Sequence, residues 1–256
     1  MSAEPKMHFT ASRKPEARQA LDLMTKRYGQ APAGKADVIV ALGGDGWMLE
    51  TLRGRYGDRI PVYGMHRGTV GFLMNEFNEE GLVARLDAAV RVVIHPLEMT
   101  ATRTNGKVSV LRAINEVSLL RQTSQTANLR IIVDGRERLT DLAADGVLVS
   151  TPAGSTAYNL SAHGPILPIG ANLLALTPIS PFRPRRWRGA LLRHDARVEI
   201  TVMEADRRSV SASADTQEVR DVAHVAIRED RSQPLTMLFD EGHGLDERIL
   251  REQFSI

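Results

Sequence analysis

The 256-residue chain contains no cysteine. This absence excludes disulfide bonds and thiolate metal sites and is typical of a protein of the reducing cytoplasm. The longest apolar runs have the length of strands, and the opening residues, MSAEPKMHFTASRK, lack the apolar core of a signal peptide. We therefore expect a cytoplasmic protein that neither spans nor binds a membrane.

A strong charge of one sign is also missing, because the formal net charge is only +2. Proteins that bind polyanions over a large surface carry a larger basic excess. The local exception is PFRPRRWRG, in which Arg183, Arg185, Arg186 and Arg188 surround Trp187. Basic and aromatic residues are not interleaved elsewhere as on a nucleic-acid-binding surface. We interpret this arginine cluster as a solvated loop or a subunit contact and expect no nucleic-acid partner.

Several common site motifs are absent. No G-x-G-x-x-G follows a strand, so a standard Rossmann dehydrogenase is not supported. No G-x-S-x-G predicts a serine hydrolase. The histidines are scattered without the paired spacing of a zinc site, so we predict no metal site built by the protein's own side chains.

Up to about Pro96, strand and helix patterns alternate along the sequence. Apolar runs predict strands and helical spacing predicts helices. The expected strands cover 8–10, 37–42 and 60–65, and the expected helices cover 15–28, 48–56 and 79–90. The run at 37–42 is almost continuously apolar, as in a parallel strand covered on both faces.

After Pro96 the pattern becomes that of short antiparallel strands. Asn105-Gly106 and Asp134-Gly135 are typical hairpin turns, each flanked by alternating residues such as those at 108–120 and 129–133. Further strands are expected at 197–203, 210–214, 222–228 and 235–239, before a closing helix at 245–254. The sequence therefore predicts an α/β N-terminal domain (1–96 plus 235–256) and a β-rich, antiparallel, sandwich-like C-terminal domain (97–234). A cleft between two closely joined domains is the expected ligand position.

The stretch ADVIVALGGDGWMLETLRG places Gly43, Gly44, Asp45 and Gly46 where a strand gives way to a helix. Backbone N–H groups of such a turn, with the positive end of the helix dipole, bind phosphate oxygens. A carboxylate there would repel phosphate, so Asp45 fits a base or an acceptor for an attacking hydroxyl. The alternative is that Asp45 simply caps the helix.

Two other segments concentrate polar groups. Asn115-Glu116 lies within a β pattern, and alternation places the two side chains on opposite faces unless the strand ends or bulges there. TPAGSTAYNLSAHG, residues 151–164, crowds hydroxyls and amides onto the first turns of a helix expected from Ser155 to Leu160. Such a cluster suits a ribose, a phosphate or an amide. The alternative is capping of the helix by serine and threonine, which needs only one of them, so the density of polar groups favours a ligand site. Asp145-Gly146, considered alone, is a turn.

Together these segments resemble one family, the NAD kinases of the bacterial type. LGGDGWMLETLR, PVYGMHRGTVGFL, AINEVSLLR, DGVLVSTPAGSTAYNLSAHGPI and SASADTQ follow that family's order and spacing from about Ala36 to Gln217. GGDG alone is shared with lipid kinases and phosphofructokinases, whereas its combination with INE and TPAGSTAY is specific. Trp47, the segment 65–67, Ala153 and Thr216 depart from the usual pattern.

The resemblance implies transfer of a phosphoryl group from ATP or polyphosphate to the 2′-hydroxyl of the adenosine ribose of NAD, giving NADP. It also implies Mg²⁺ with the donor and a homodimer or homotetramer. A kinase of the GGDG type acting on a lipid or sugar, and a non-catalytic NAD(P)(H) sensor, are the alternatives.

Residue by residue, the resemblance makes Asp45 the general base. Asn115 and Glu116 would hold ribose and adenine groups, Asp145 the nicotinamide end, and Phe72 with Leu73 an apolar wall. The implied nucleotide contacts are Gly43, Gly44, Asp45, Gly46, Phe72, Leu73, Asn115, Glu116, Asp145, Ala153, Thr156, Ala157, Tyr158, Asn159, Leu160, Ser161 and Gln217.

Overall fold

The computed structural model of the chain describes residues 4–67, 71–242 and 244–254. The chain forms two compact units, one made of residues 1–94 with 232–256 and the other of residues 95–231. We call them the N-terminal and the C-terminal unit. The domain limits expected from the sequence, after residue 96 and before residue 235, lie a few residues from these.

Seventeen strands and five helices are present within the described residues. In chain order they are β1 (Met7–Ala11), α1 (Pro15–Tyr28), β2 (Val38–Gly43), α2 (Asp45–Arg53), β3 (Val62–His66), α3 (Leu82–Asp87), β4 (Val90–Ile94), β5 (Leu97–Arg103), β6 (Val108–Ala113), β7 (Glu116–Arg121), β8 (Ala127–Val133), β9 (Arg136–Ala144), β10 (Gly146–Ser150), α4 (Tyr158–Ser161), β11 (Leu173–Ile179), β12 (Ala190–Arg193), β13 (Val198–Val202), β14 (Val210–Ala214), β15 (Gln217–Val219), β16 (Val222–Glu229), β17 (Leu235–Phe239) and α5 (Leu245–Gln253).

The N-terminal unit is built on a five-stranded sheet in the order β1-β2-β3-β17-β4. The first four of these neighbours are parallel, and β4 pairs antiparallel with β17. Every residue of β2 is buried, as expected for a parallel strand covered on both faces. The GGDG turn therefore follows the carboxyl end of an inner strand, where open α/β sheets bind their ligands.

The C-terminal unit consists of two six-stranded sheets, β12-β11-β10-β7-β14-β15 and β6-β5-β16-β13-β8-β9. Buried side chains from both sheets share one hydrophobic core, which makes the unit a β-sandwich. The hairpin between β8 and β9 turns at Asp134 and Gly135, both with positive φ, as a two-residue hairpin loop of this kind requires. The predicted fold class is confirmed.

Two local predictions are wrong. The helix expected at 79–90 covers only Leu82–Asp87, and the residues beyond it form the edge strand β4. The valines of β4 continue the apolar pattern of the helix, but Val93 is exposed between the buried Val92 and Ile94, which is the period of a strand. The helix expected from Ser155 is replaced by turns, and α4 spans only four residues.

Within residues 4–67, 71–242 and 244–254, no helix has the length and apolar composition needed to span a membrane.

Candidate functional site

Asp45 is the first residue of α2, and only Gly44 separates it from Gly43, the last residue of β2. The N-cap of α2 is Gly44, and no described side chain forms a capping hydrogen bond there. The alternative in which Asp45 merely caps its helix is therefore wrong. Its carboxylate has another partner.

That partner is the segment from Gly71 to Leu73, which lies next to the first turn of α2. The N–H of Phe72 donates to Asp45 Oδ2 at 2.7 Å, and the N–H of Leu73 donates to Asp45 Oδ1 at 2.9 Å. Both carboxylate oxygens are thus held by backbone donors from a single loop. Phe72 and Leu73, predicted as an apolar wall, contribute their backbones to the position of Asp45 as well.

The glycines of the turn differ in what surrounds them. A Cβ on Gly43 would press against Trp47 and Ser12, whereas a Cβ on Gly44 or Gly46 would meet no atom within 4 Å. Open space at Gly44 and Gly46, beside the N-terminus of a helix, leaves room for a ligand to approach the backbone.

In the C-terminal unit, Asn115 and Glu116 form a corner just where β6 has ended and β7 begins. The carboxylate of Asp215 accepts the N–H groups of Ile114 and Asn115 at 2.9 Å each, and that of Glu116 at 3.4 Å. The strand end, rather than a continuous strand, sets the directions of the two side chains. The two side chains therefore need not lie on opposite faces of a sheet, as the sequence pattern allowed if a strand ended here.

Glu116 itself lies in a mostly buried setting. Its Oε2 atom is buried and accepts no hydrogen bond from the described residues. Burial, together with the nearby negative charge of Asp215, raises the pKa of the Glu116 carboxyl to about 7. A buried carboxyl with an unmatched oxygen is typical of a group that binds a ligand hydroxyl or amine.

Asp145 and Tyr158 lie within electrostatic range of this corner. Burial and then the negative charges of Glu116 and Asp145 raise the pKa of the Tyr158 hydroxyl, so it remains a neutral donor. Asp145 pairs with Arg121, with 2.5 Å between Oδ1 and Nε. The fold thus brings together Glu116, Asp145 and Tyr158, which are far apart in the sequence.

The segment TPAGSTAY uses its hydroxyls to fix its own backbone. Thr151 Oγ1 donates to the carbonyl of Ile114 at 2.7 Å and accepts the N–H of Gly154 at 3.1 Å. Ser155 Oγ donates to the carbonyl of Pro152 at 2.7 Å and accepts the N–H of Leu167 at 3.0 Å. These two side chains position the segment against the Asn115 corner.

The remaining predicted contacts differ in exposure. Asn159 is fully buried, with its amide donating to the carbonyls of Ser155 and Pro165 and its oxygen accepting the hydroxyl of Thr177. Ala153 is buried, and Ser161 and Gln217 are exposed. The half-buried members are Thr156, Ala157 and Leu160. Tyr158 and Ser161 line a cleft of about 280 Å³ with His163, Trp187 and Arg188.

Sequence reasoning missed Asp215 and Arg121 as organising residues. Asp215 occurs in the SASADTQ motif and has a left-handed backbone, with φ of 50°, which aspartate tolerates better than most residues. Its hydrogen bonds reach about a hundred residues back along the chain, so no local pattern indicates them. Among the described residues, no group of three or more histidine, aspartate or glutamate side chains could hold a metal ion.

Comparisons with known proteins identify the family. The model of the ATP-NAD kinase N-terminal domain matches residues 3–91, and that of the ATP-NAD kinase C-terminal domain matches residues 114–227. The NAD kinase of Hyphomonas neptunium is 63% identical over 247 residues, covering 96% of this chain and 97% of its own length. That of Caulobacter vibrioides is 58% identical over 250 residues, covering 98% and 96%. The chain belongs to the NAD kinase family.

Solved structures show the same fold. Yeast NADH kinase complexed with NADH has a TM-score of 0.83 at 22% identity, covering 98% of this chain and 88% of that one. An NAD kinase from Archaeoglobus fulgidus in complex with ATP has a TM-score of 0.78 at 21% identity, covering 98% and 99%.

Proposed function

We propose that the chain is an NAD kinase, a phosphotransferase with an alcohol group as acceptor. It transfers a phosphoryl group from ATP or polyphosphate to the 2′-hydroxyl of the adenosine ribose of NAD, giving NADP. Family membership over nearly the whole chain supports the reaction. The observation that carries the mechanism is the Asp45 carboxylate, held by two backbone N–H groups beside an open glycine turn.

Asp45 acts as the general base. A sugar hydroxyl is a poor nucleophile at neutral pH and needs an acceptor for its proton in the transition state. Each carboxylate oxygen offers about two acceptor sites, so one bond from Phe72 or Leu73 leaves capacity on the same oxygen for a hydroxyl proton. The two backbone bonds fix the orientation of the carboxylate before substrate arrives, and this preorganisation lowers the barrier.

The C-terminal unit supplies the NAD-binding side chains. The unmatched Oε2 of Glu116 accepts a ribose hydroxyl, and Asn115 contributes its amide to the same sugar or to adenine. The neutral hydroxyl of Tyr158 donates a hydrogen bond to a polar group of the nucleotide. The Asp145 carboxylate accepts a hydrogen bond from another group of the nucleotide. Thr151, Ser155 and Asn159 act by holding the TPAGSTAY backbone, because their polar groups are engaged within the protein.

The proposed reaction also needs a site for the phosphates of the phosphoryl donor and for Mg²⁺. Magnesium commonly binds through one or two carboxylates and the substrate's own phosphates rather than in an all-protein cage. The GGDG turn fits that mode, because N–H donors at the start of α2 would hold the donor's phosphates, which would in turn carry the Mg²⁺, and Asp45 would remain available as the base. When bound, Mg²⁺ neutralises charge on the transferring phosphoryl group.

We further propose that the enzyme is a cytoplasmic homodimer or homotetramer. Phe182 and Leu191, which flank the arginine cluster of residues 183–188, have 60% and 54% of their surface exposed. Large exposed apolar side chains on both sides of one short segment favour a protein contact. The absence of cysteine fits a reducing compartment.

The decisive experiment couples NADP formation to an NADP-specific dehydrogenase, with purified protein, Mg²⁺, NAD and either ATP or polyphosphate. Asp45→Asn should lower kcat by about 10²–10⁴-fold, the usual worth of a general base, while calorimetry shows NAD still bound. Asp22→Asn, which changes an exposed carboxylate of α1, is the matched control and should match the wild type. Binding of NAD without turnover by the wild type would instead favour the non-catalytic sensor.

A further inference from the structure

Arg248, in the C-terminal helix α5, contacts the loop that holds Asp45. Its Nη1 atom donates to the carbonyl of Gly71 at 3.1 Å and to the carbonyl of Phe72 at 3.0 Å. The guanidinium also lies over the ring of Phe239, 5.4 Å from its centroid. Leu245 and Ile249, one turn apart on the same helix, are buried and fix α5 against the N-terminal unit.

The two carbonyls that Arg248 binds belong to the same peptide groups that bind Asp45. The Gly71 carbonyl and the Phe72 N–H form one peptide group, and the Phe72 carbonyl and the Leu73 N–H form the next. Arg248 donates to both carbonyl oxygens, and the Asp45 carboxylate accepts both N–H groups. Because C=O and N–H point in opposite directions in a trans peptide, the guanidinium and the carboxylate lie on opposite sides of the same two peptide groups.

We propose that Arg248 is a positioning residue for the reaction, acting on Asp45 through these two peptide groups. The inference rests on the proposed function, in which Asp45 is the base. Hydrogen bonds in series polarise one another, so a cation on the carbonyls strengthens the N–H bonds to the carboxylate. The guanidinium also fixes the orientation of both peptide planes, and therefore of the carboxylate that they bind.

The opposite end of the loop is fixed independently. The amide of Asn75 donates to the carbonyls of Gly64 and Leu238 at 3.0 Å each, and Asn75 is almost fully buried. Loss of Arg248 should therefore release residues 71–73 without unfolding the segment that follows. The expected consequence is a misdirected Asp45 in a folded protein.

The test compares Arg248→Met with the wild type under the coupled assay. We expect kcat to fall by about 10–100-fold, the loss that a misplacement of about 1 Å produces, while KM for NAD changes by less than about threefold. Arg248→Lys keeps a cation that can donate to the carbonyls and should recover part of the loss. Arg85→Met is the control, because Arg85 binds Asp240 and the carbonyl of Glu76 and makes no described bond to residues 71–73; it should lower the melting temperature and leave kcat within about twofold.

A double-mutant cycle separates positioning from a structural role. If Arg248 acts through Asp45, the Arg248→Met change should cost little further activity in the Asp45→Asn background. An equally large loss in that background, or an unchanged kcat in the single variant, would overturn the inference.

Hydrogen exchange gives a readout that does not depend on catalysis. The Phe72 and Leu73 amides should exchange slowly in the wild type and markedly faster in Arg248→Met, and equal protection in both would also count against the inference. If the wild type makes no NADP, the proposed function fails; if Asp45→Asn is impaired and Arg248→Met is not, only the role of Arg248 fails.

Discussion

Two hydrogen bonds of opposite direction join the backbone of Glu116 to Asp215, one through the Asp215 side chain and one through its backbone. Asp215 Oδ1 accepts the N–H of Glu116 at 3.4 Å, and the N–H of Asp215 donates to the carbonyl of Glu116 at 3.1 Å. The same carboxylate holds the two preceding N–H groups. Burial, and then the negative charge of Asp215, raise the pKa of Glu116. One aspartate therefore sets the geometry of the proposed ribose-binding corner and adds to the raised pKa of its carboxyl.

Asp215→Asn should loosen this corner. An amide keeps one acceptor oxygen and tolerates the left-handed backbone, but its NH₂ group cannot accept the remaining N–H bonds. We expect the free energy of unfolding to fall by roughly 1–3 kcal/mol and KM for NAD to rise. Urea unfolding and the coupled assay measure the two effects. Asp206→Asn, at an exposed carboxylate of the same unit, should change neither the free energy of unfolding nor KM for NAD. An equal loss of stability in that variant would mean that removal of any negative charge has this effect.

Glu116→Gln should change how stability depends on pH. The pKa of Glu116 is about 7 in the folded protein against an ordinary 4.5, so between these values the folded state keeps a proton that the unfolded state has lost. The contribution of the Glu116 carboxyl to the free energy of unfolding is fully present below about pH 4.5 and declines as pH rises to about 7. At about 1.4 kcal/mol per pKa unit, the total is at most about 3.5 kcal/mol.

Glutamine does not titrate, so the variant should gain stability relative to the wild type as pH rises from 5 to 7.5. Urea unfolding at several pH values measures the difference. Parallel curves for the two proteins across this range would mean that Glu116 titrates normally.

Much of the fold follows from local sequence. The predicted α1 has the observed limits, because Pro15 occupies its first turn and Gly29, with φ of 78°, ends it. The strands at 210–214 and 235–239 also match the structure. The run from Val108 to Leu120 shows the limit of such patterns, since it contains two strands, β6 and β7, that belong to different sheets. The break between them is held by Asp215, which no neighbouring residue indicates.

The candidate site also combines features that local sequence predicts with features that depend on distant contacts. Sequence patterns place the GGDG turn correctly after a buried strand, because the apolar run and the glycines are local features. They could not show that the Asp45 carboxylate binds the N–H groups of Phe72 and Leu73, because those contacts depend on where a distant loop returns to the sheet. The hydroxyl cluster of TPAGSTAY predicted ligand binding, whereas Thr151 and Ser155 form hydrogen bonds within the protein.

Gly154→Ala should be strongly destabilising. A Cβ there would lie less than 3.0 Å from the backbone O, C and Cα atoms of Asn115, none of which can move alone. We expect a loss of at least about 1–3 kcal/mol, the usual cost of overpacking, with weaker NAD binding because the Asn115 corner shifts. Gly170→Ala introduces a Cβ that meets nothing within 4 Å and should be neutral in thermal unfolding. Equal melting temperatures for the two variants would contradict the close packing.

Gly71→Ala should impair catalysis far more than stability. The added Cβ would lie less than 3.0 Å from Oδ1 and the carboxyl carbon of Asp45. The end of a flexible side chain moves easily, so the protein can relieve the contact by displacing the carboxylate, which is the proposed base. We expect kcat to fall by about 10–100-fold, with a melting temperature within a few degrees of the wild type. Gly34→Ala, whose Cβ would meet no atom within 4 Å, should retain wild-type kcat. A Gly71→Ala enzyme with normal kcat would show that turnover tolerates displacement of Asp45, and the assignment of Asp45 as the base would then be wrong.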